Sequence, residues 1–531
     1  MRKSWLFGRV VIVTSIALGL GVQAKAEEAG QTQKSIEQRF EELDQEIRIL
    51  KRKRELEQEA AETSKKATPI VKFSSAGYSS RTGGFSLESA DGNHVIRFRG
   101  IIQADHRLYF DGANDIRNRN DQRAGDLNAD GFHEASDSWY LRRLRPIMEG
   151  TLFGKYDFRF RPEFAGGTAT VVDAYLDARF SPAFKVRTGK FKSFVGLERL
   201  QSASDIAFIE RSYVTNTVLP NRDLGIAIHG DVFGDRLNYA FGLVNGVSDG
   251  GNISTGPEFN SRKEFTGRLF ATPFVNDDSA LSGLGIGAAA TYTDVSGERN
   301  LNFTDTTAAD STRNGLPSYL SEGQNTFFRY SSAAVADGVR IRFSPQAYYY
   351  IGPLGILAEY VQVIQDVSLT TGGSPPAGGV GSNTVFTPNS GKTLHHQAWN
   401  VTVSYFLTGE MAAFRGVKPI RNFEFGKGWG AWEVVGRYSE LALDADTFKN
   451  PAGTAFTGGY ADLSASAKRA RSWAVGLNWY LNTNVRVALN YLETRFDGGA
   501  GIGITPINAD GTNVQDRPDE RALFTRLQLA F

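Results

Sequence analysis

The sequence predicts an all-β protein, a transmembrane antiparallel β-barrel of about 16 strands preceded by a short N-terminal coiled-coil helix. Three observations carry this. The first residues have the pattern of an export signal, the 531 residues include no cysteine, and the last strand alternates up to a terminal Phe531. From Leu523 to Phe531, a face of Leu523, Leu527, Leu529 and Phe531 alternates with one that carries Arg526 and Gln528. Such a strand suits a wall between lipid and water, although soluble sandwiches alternate too.

The amino terminus decides between them. Arg2, Lys3 and Arg9 flank the start of an apolar run from Val10 to Val22, and Ala24-Lys25-Ala26 supplies small residues for cleavage. Residues 1–26 therefore read as a signal peptide, and the mature chain as starting at Glu27. The run is shorter than the roughly 20 residues of a membrane anchor. An exported chain of this length without disulfides needs another source of cohesion, and a closed ring of backbone hydrogen bonds is one. The formal charge of +1 becomes −3 once Arg2, Lys3, Arg9 and Lys25 are removed, so bulk charge gives no reason to expect a nucleic-acid partner.

Residues 27–68 form the next segment. Ile36, Phe40, Leu43, Ile47 and Leu50 recur at alternating spacings of four and three, the a/d seam of a coiled coil. The register fails at Arg54 and Glu57, leaving either a small oligomerising stalk or a solvated single helix acting as a periplasmic spacer. Thr68-Pro69 ends it, and residues 69–93, rich in Ser and Gly from Ser74 to Gly84, read as a linker.

From residue 94 to 531 the pattern is alternation broken by Gly, Asn and Asp clusters. Trp473, Val475, Leu477, Trp479 and Leu481 share one face, Asn482-Thr483-Asn484 turns the chain, and Val485, Val487, Leu489 and Tyr491 face the same way. This is a hairpin with a lipid-compatible exterior and aromatic residues fit for an interfacial girdle. Long polar stretches at 111–137, 298–323 and 370–392 read as loops of one rim, against short turns at the other. A barrel this wide is too large for its own side chains to fill and should hold water.

Parity then places charge. If Ile96, Phe98, Ile102 and Leu108 face lipid, Arg97, Arg99, Gln103, Asp105 and Arg107 face the lumen. Likewise Phe158, Phe160, Pro162 and Phe164 point out, while Asp157, Arg159, Arg161 and Glu163 point in. Arginine stays charged and binds oxyanions in a fork, so a line of arginines favours phosphate-like ions and opposes cations. The interleaved acids weaken the hold, as conduction requires. The plainer reading is that the walls of water-filled barrels carry Arg paired with Asp or Glu merely to fix loops.

Specific strings recur in order: Gly189-Lys190-Phe191-Lys192-Ser193-Phe194-Val195-Gly196-Leu197-Glu198-Arg199, then Glu210-Arg211, Tyr405-Phe406-Leu407-Thr408-Gly409-Glu410, Gly430-Ala431-Trp432-Glu433 and Asn478-Trp479-Tyr480. In these the chain resembles the phosphate-selective porin O/P family, over most of its length from about Ile96 to Phe531. The resemblance implies a sixteen-stranded homotrimeric outer-membrane barrel. It also implies a loop after the Gly-Leu-Glu segment that carries basic residues to the narrowest point. Arg199 and Arg211 would lie on that loop, Arg142 and Arg143 on the preceding wall, Lys155 near the periplasmic side, and Asp173 as the facing acid. Simple parity turns Arg142 outward, a conflict that a β-bulge would resolve. Where further basic residues of the family align, this chain has Ile101 and Ser204, and the strand from Leu357 to Asp366 lacks arginine, which predicts weak anion preference or broader solute passage.

Other signals point elsewhere. Asp126, Asn128 and Asp130, followed by Glu134 and Asp137, sit at EF-hand-like offsets without flanking helices, a weak metal candidate. Gly246-Val247-Ser248-Asp249-Gly250 matches a nucleophile-elbow string outside a strand-turn-helix context. His395 and His396 point to opposite faces of a strand and cannot share a metal. Gly283-Leu284-Gly285-Ile286-Gly287 lacks the helix and acidic follower of a dinucleotide site. The expectation is therefore a porin of the bacterial cell outer membrane, embedded in its lipid, without cofactor or catalysis. It would allow passive diffusion of small hydrophilic solutes with a preference for anions such as phosphate. The alternatives are a barrel-anchored adhesive or structural protein with a coiled-coil stalk, and an outer-membrane hydrolase using Ser248.

Overall fold

A computed structural model describes residues 26–67, 69–74, 83–110, 137–253, 262–297, 314–371, 385–386, 390–456, 458–499 and 514–531. The signal-peptide residues 1–25 lie outside these. The chain divides into two compact units, Met1–Thr68 and Pro69–Phe531.

The first unit holds one helix, α1 (Ala26–Ala67). Its seam residues Phe40, Leu43, Ile47 and Leu50 are all exposed. Ion pairs one turn apart, Asp44 with Arg48 and Arg52 with Glu55, add roughly 0.2–0.5 kcal/mol each.

The second unit is a barrel. Its strands begin with a hairpin, β1 (Ile70–Ser74) and β2 (Gly84–Glu88). Next come β3 (Val95–Tyr109), β4 (Ser138–Leu152), β5 (Tyr156–Glu163), β6 (Thr170–Ser181) and β7 (Phe184–Lys192). They continue with β8 (Arg222–Val232), β9 (Leu237–Val244), β10 (Glu264–Ala271) and β11 (Leu284–Ser296). A small separate hairpin, β12 (Ser318–Leu320) and β13 (Thr326–Arg329), precedes β14 (Ala334–Ile351), β15 (Leu354–Thr371) and the short β16 (Val385–Phe386). The last are β17 (Lys392–Phe406), β18 (Ala431–Ala442), β19 (Ala467–Tyr480), β20 (Val485–Gly498) and β21 (Glu520–Ala530).

Each barrel strand pairs antiparallel with the next, and β21 pairs with β3 from Ala522↔Tyr109 to Ala530↔Ile101. The ring of β3 to β11, β14, β15 and β17 to β21 holds the expected sixteen strands. Closure pairs β3 with β21 from Ile101 to Tyr109 and leaves no open edge over that span, which is what lets a sheet survive in lipid. Phe531 completes the seam by exchanging hydrogen bonds with Gly100, both 3.0 Å. A Cβ at Gly100 would lie 2.6 Å from the tip of the Phe531 ring, so a larger residue there requires that ring to move. Below that point β3 has a free edge, and β2 takes it, Phe85↔Phe98 to Glu88↔Val95. The stretch read as a linker thus contributes strands, because Val95 to Phe98 offers backbone groups that β21 is too short to reach.

The wall follows the parity argument. Phe98, Ile102, Phe160, Val475 and Leu489 are exposed on the outside, while Arg99, Gln103, Asp105, Arg107 and Arg161 are buried within. Trp432 and Trp479 stack on the exterior, 5.1 Å apart and 14° from parallel. Turns at one rim are as short as Gly352-Pro353 between β14 and β15. The longer connections on that rim are β10–β11, 272–283, and β17–β18, 407–430.

The interior differs from a simple water-filled tube. Loop 193–221, with a short helix α2 (Leu197–Leu200), loop 314–333 with β12 and β13, and the described residues 443–456 and 458–466 all fold inward. They share one apolar cluster, with Val195, Tyr213, Phe327, Phe328 and Phe448 packed against Val361, Val363 and Ala398 of the wall. Wall side chains alone do not fill the lumen, but returning chain occupies part of it.

Candidate functional site

The site is built by loop 193–221. At its start, a Cβ on Gly189 would come within 2.3 Å of the Ala174 carbonyl, and the glycine's φ of 118° lies in the left-handed region. The loop then crosses to β15, where the Glu359 carboxylate accepts the backbone N–H of Leu197 and of Glu198 (3.0 Å) and the Thr215 hydroxyl (3.1 Å). Glu198 in turn accepts the Ser212 backbone N–H at 3.0 Å and its hydroxyl at 2.8 Å. Strands on the closing side hold the other end. Asn490 accepts the Ile209 N–H at 2.6 Å, Asn478 donates to the Ala207 carbonyl at 2.8 Å, and Arg526 donates to the Ile209 carbonyl at 2.7 Å. A loop pinned at both ends by buried polar groups is a fixed partition, since each lost bond would strand a desolvated partner.

Two charged groups gather along it. In the first, the Glu210 carboxylate accepts from Arg107 (2.6 Å) and Arg142 (2.6 and 3.1 Å), and Arg526 binds Asp105 in a fork at 2.6 and 2.7 Å. Burial of Glu210 opposes its charge, yet Arg142 and Arg107 together hold this loop carboxyl well below the usual range. In the second, Asp173 bridges Arg161 at 3.2 Å and Arg222 at 2.8 Å, and Arg145 pairs with Glu163 at 2.5 Å. Lys192 stands beside them, donating to the Gln201 carbonyl at 2.7 Å within the fields of Arg211, Arg222 and Arg161.

Several buried guanidiniums have no carboxylate within ion-pair distance among the described residues. Arg143 donates to Gln103 (2.6 Å), Arg199 to the Thr215 carbonyl, Arg211 to the carbonyls of Glu198 and Gln201 (3.3 and 3.1 Å), and Arg268 to Gln346 and Asn238 (3.2 and 3.0 Å). All four are buried. A buried cation without a counter-charge is costly, and a mobile anion is the natural complement.

The structure thus places Arg107, Arg142, Arg143, Arg161, Asp173, Arg199 and Arg211 around the loop or on the wall beside it. Arg99 and Arg159 share Glu149 on β4, each at 2.6 Å, and Arg97 is half-buried near the start of β3. Lys155 is exposed in the turn between β4 and β5 and joins none of these contacts. Arg142 reaches Glu210 because the β3–β4 register passes from Gln103↔Arg143 to Ala104↔Leu141, leaving Arg142 as the extra residue of a bulge. Arg145, Lys192, Arg222, Arg268 and Arg526 belong to the same surface without having been singled out. Alternation in the closing strand already turns Arg526 inward, but nothing local marks the strand-end Arg222 as the partner of Asp173.

The departures also acquire positions. Ile101 is fully buried in an apolar cluster with Ile147 and Ala530, Ser204 binds Ser202 and Asp205 by its hydroxyl, and β15 turns Leu357, Val361 and Val363 inward. The weak metal candidate Asp126, Asn128 and Asp130 lies outside the described residues, among which no group of metal-binding side chains is found. Asp249, next to Ser248, is bound to Arg342 at 2.7 Å and Tyr319 at 2.8 Å. His395 is exposed on the outer face of β17 while His396 is buried within.

The family described as phosphate-selective porin O and P matches residues 115–500. The chain is 23% identical over 483 residues to Porin O of Pseudomonas aeruginosa, covering 85% of this chain and 91% of that protein. Among solved structures it is similar to the outer membrane channel DcaP of Acinetobacter baumannii, 12% identical with a TM-score of 0.45 over 83% of this chain and 98% of that one. The loop L8 deletion mutant of OmpT, an outer membrane protein of Vibrio cholerae, gives the same identity and TM-score over 83% and 100%.

Proposed function

The chain belongs to the phosphate-selective porin O and P family, and from that premise we propose that it passes small hydrophilic solutes passively across the outer membrane with a preference for anions, phosphate among them. The observation that carries the preference is the set of buried guanidiniums without carboxylates, Arg143, Arg199, Arg211 and Arg268, beside an inward loop. Their donors attract anions, while Glu210, Glu163 and Asp173 occupy neighbouring arginines and keep the hold weak enough for release. The apolar Ile101 and the arginine-poor face of β15 support a modest rather than a strict selection of phosphate.

Membership of this family implies a channel rather than an enzyme, and we propose that Ser248 has no catalytic part. A homotrimer is supported by the small outward residues Ala288, Ala290, Pro345, Ala347 and Ala358 on adjacent strands, which let a second wall approach closely, and by the exposed seam of α1. In this reading residues 1–26 are removed on export, 27–68 form a periplasmic coiled coil, and the barrel follows. The test is reversal potential in planar bilayers under a salt gradient. The expected value lies on the anion side, and a cation-side value sinks the reading.

A further inference from the structure

A cavity of about 280 Å³ with a mixed polar and apolar lining lies beneath the inward loop, between Gln201 to Ala207 above and residues 413–418 of the β17–β18 connection below. Gln201 ties the two by donating to the Phe414 carbonyl at 3.0 Å. Its wall carries opposite charges held apart by one phenol. The Tyr480 hydroxyl donates to Glu433 at 2.8 Å and lies 3.4 Å from the Arg486 guanidinium. Glu433 also accepts from Asn478 at 2.9 Å. Arg486 is 1% exposed, donates to the Ile206 carbonyl (2.9 Å) and Gln528 (3.3 Å), and keeps a buried Nε without a partner. No carboxylate among the described residues lies within ion-pair distance of it. Exposed Arg415 and Lys418 add positive charge from the connection, and Asp205 adds a second acid from the loop.

We infer that this cavity is a binding site for a small organic anion that also carries hydrogen-bond donors, a hydroxylated phosphate or carboxylate. The anionic end meets Arg486, Arg415 and Lys418, and the hydroxyls donate toward Glu433 and Asp205. A site lined by cations alone would hold bare phosphate equally well, but a carboxylate repels bare phosphate and rewards a ligand that can donate to it. This rests on the anion-preferring reading above.

The test is block of chloride current through the full-length protein in planar bilayers, using glycerol 3-phosphate, inorganic phosphate and glycerol as probes. Glycerol 3-phosphate should block at about tenfold lower concentration than phosphate, the ratio one hydrogen bond to a charged acceptor supplies, and glycerol should not block. Glu433→Gln should bring that ratio to about one. Lys418→Gln, a change at an exposed position that leaves the wall intact, should weaken glycerol 3-phosphate block by about threefold. Equal block by both phosphates in the unmodified protein overturns the site, as does block unaffected by both variants. A reversal potential on the cation side instead overturns the anion reading, whatever the block ratio.

Discussion

Arg142 and Arg143 are neighbours in sequence, yet both turn into the lumen, Arg143 to Gln103 at 2.6 Å and Arg142 to Glu210 at 2.6 Å. Strict alternation forbids this, and the bulge in β4 permits it. One inserted residue therefore doubles the positive charge that the wall presents to the loop at this point.

Deleting Arg142 removes the bulge as well as a charge, whereas Arg142→Ala removes the charge alone. The substitution should give a folded barrel whose reversal potential moves toward the cation side. The deletion leaves Leu141 opposite Ala104 and Arg143 opposite Gln103 in unbroken alternation, so Ser138 to Leu141 keep their faces and the barrel should still fold, read as retained heat-modifiable mobility on electrophoresis. Loss of folding on deletion, with the substitution folded, would contradict the bulge.

Arg211→Ala tests the unpaired cations. It should lower the anion-to-cation permeability ratio severalfold at about 0.1 M salt, and the loss should shrink at about 1 M, where screening acts within roughly 3 Å. An unchanged ratio at low salt would clear Arg211 of the role.

Glu359→Gln probes the anchor of the inward loop. The amide keeps one acceptor for the N–H groups of Leu197 and Glu198 but loses the charge, weakening attachment by roughly 1.5–3 kcal/mol. Single-channel records should show larger, noisier conductance steps. Conductance identical to the parent would mean the loop is held elsewhere.

Phe328→Ala hollows the cluster shared by three inward loops. Buried Phe→Ala changes cost roughly 3–5 kcal/mol, and here the loss falls on the loops, because the wall keeps its own hydrogen-bond ring. Liposome swelling should admit larger neutral sugars while the far-ultraviolet β-sheet signal stays. An unchanged size limit would show that the cluster does not narrow the path.

Val475→Arg addresses the lipid face. Val475 is exposed outward on β19. A charge there should cost roughly 2–4 kcal/mol near the midplane, measured by folding equilibrium into vesicles. A negligible cost would place this face away from the acyl chains.

The wall was legible in the residues themselves. Lipid on one side and water on the other impose a period of two that each strand states locally, as in Phe98, Arg99, Ile102 and Gln103, and the count of strands follows from the chain length they consume. The pairings inside the lumen were not legible. Glu359 meets Leu197 across 162 positions and Arg526 meets Asp105 across 421, and no spacing along the chain encodes such contacts. The hairpin at Ile70 and Gly84 was hidden for a related reason: its strands are short, and what makes them strands is the unpaired edge of β3.

By itself, then, the order of residues determined an exported barrel with arginine on its inner face, because amphipathic alternation answers to solvent and needs no partner. Tertiary structure alone decided which arginines keep a counter-charge, how far the loops fill the lumen and where a cavity with charged walls remains. Those outcomes depend on which buried groups find each other once the ring has closed, and burial makes each unmatched group costly enough to fix the arrangement.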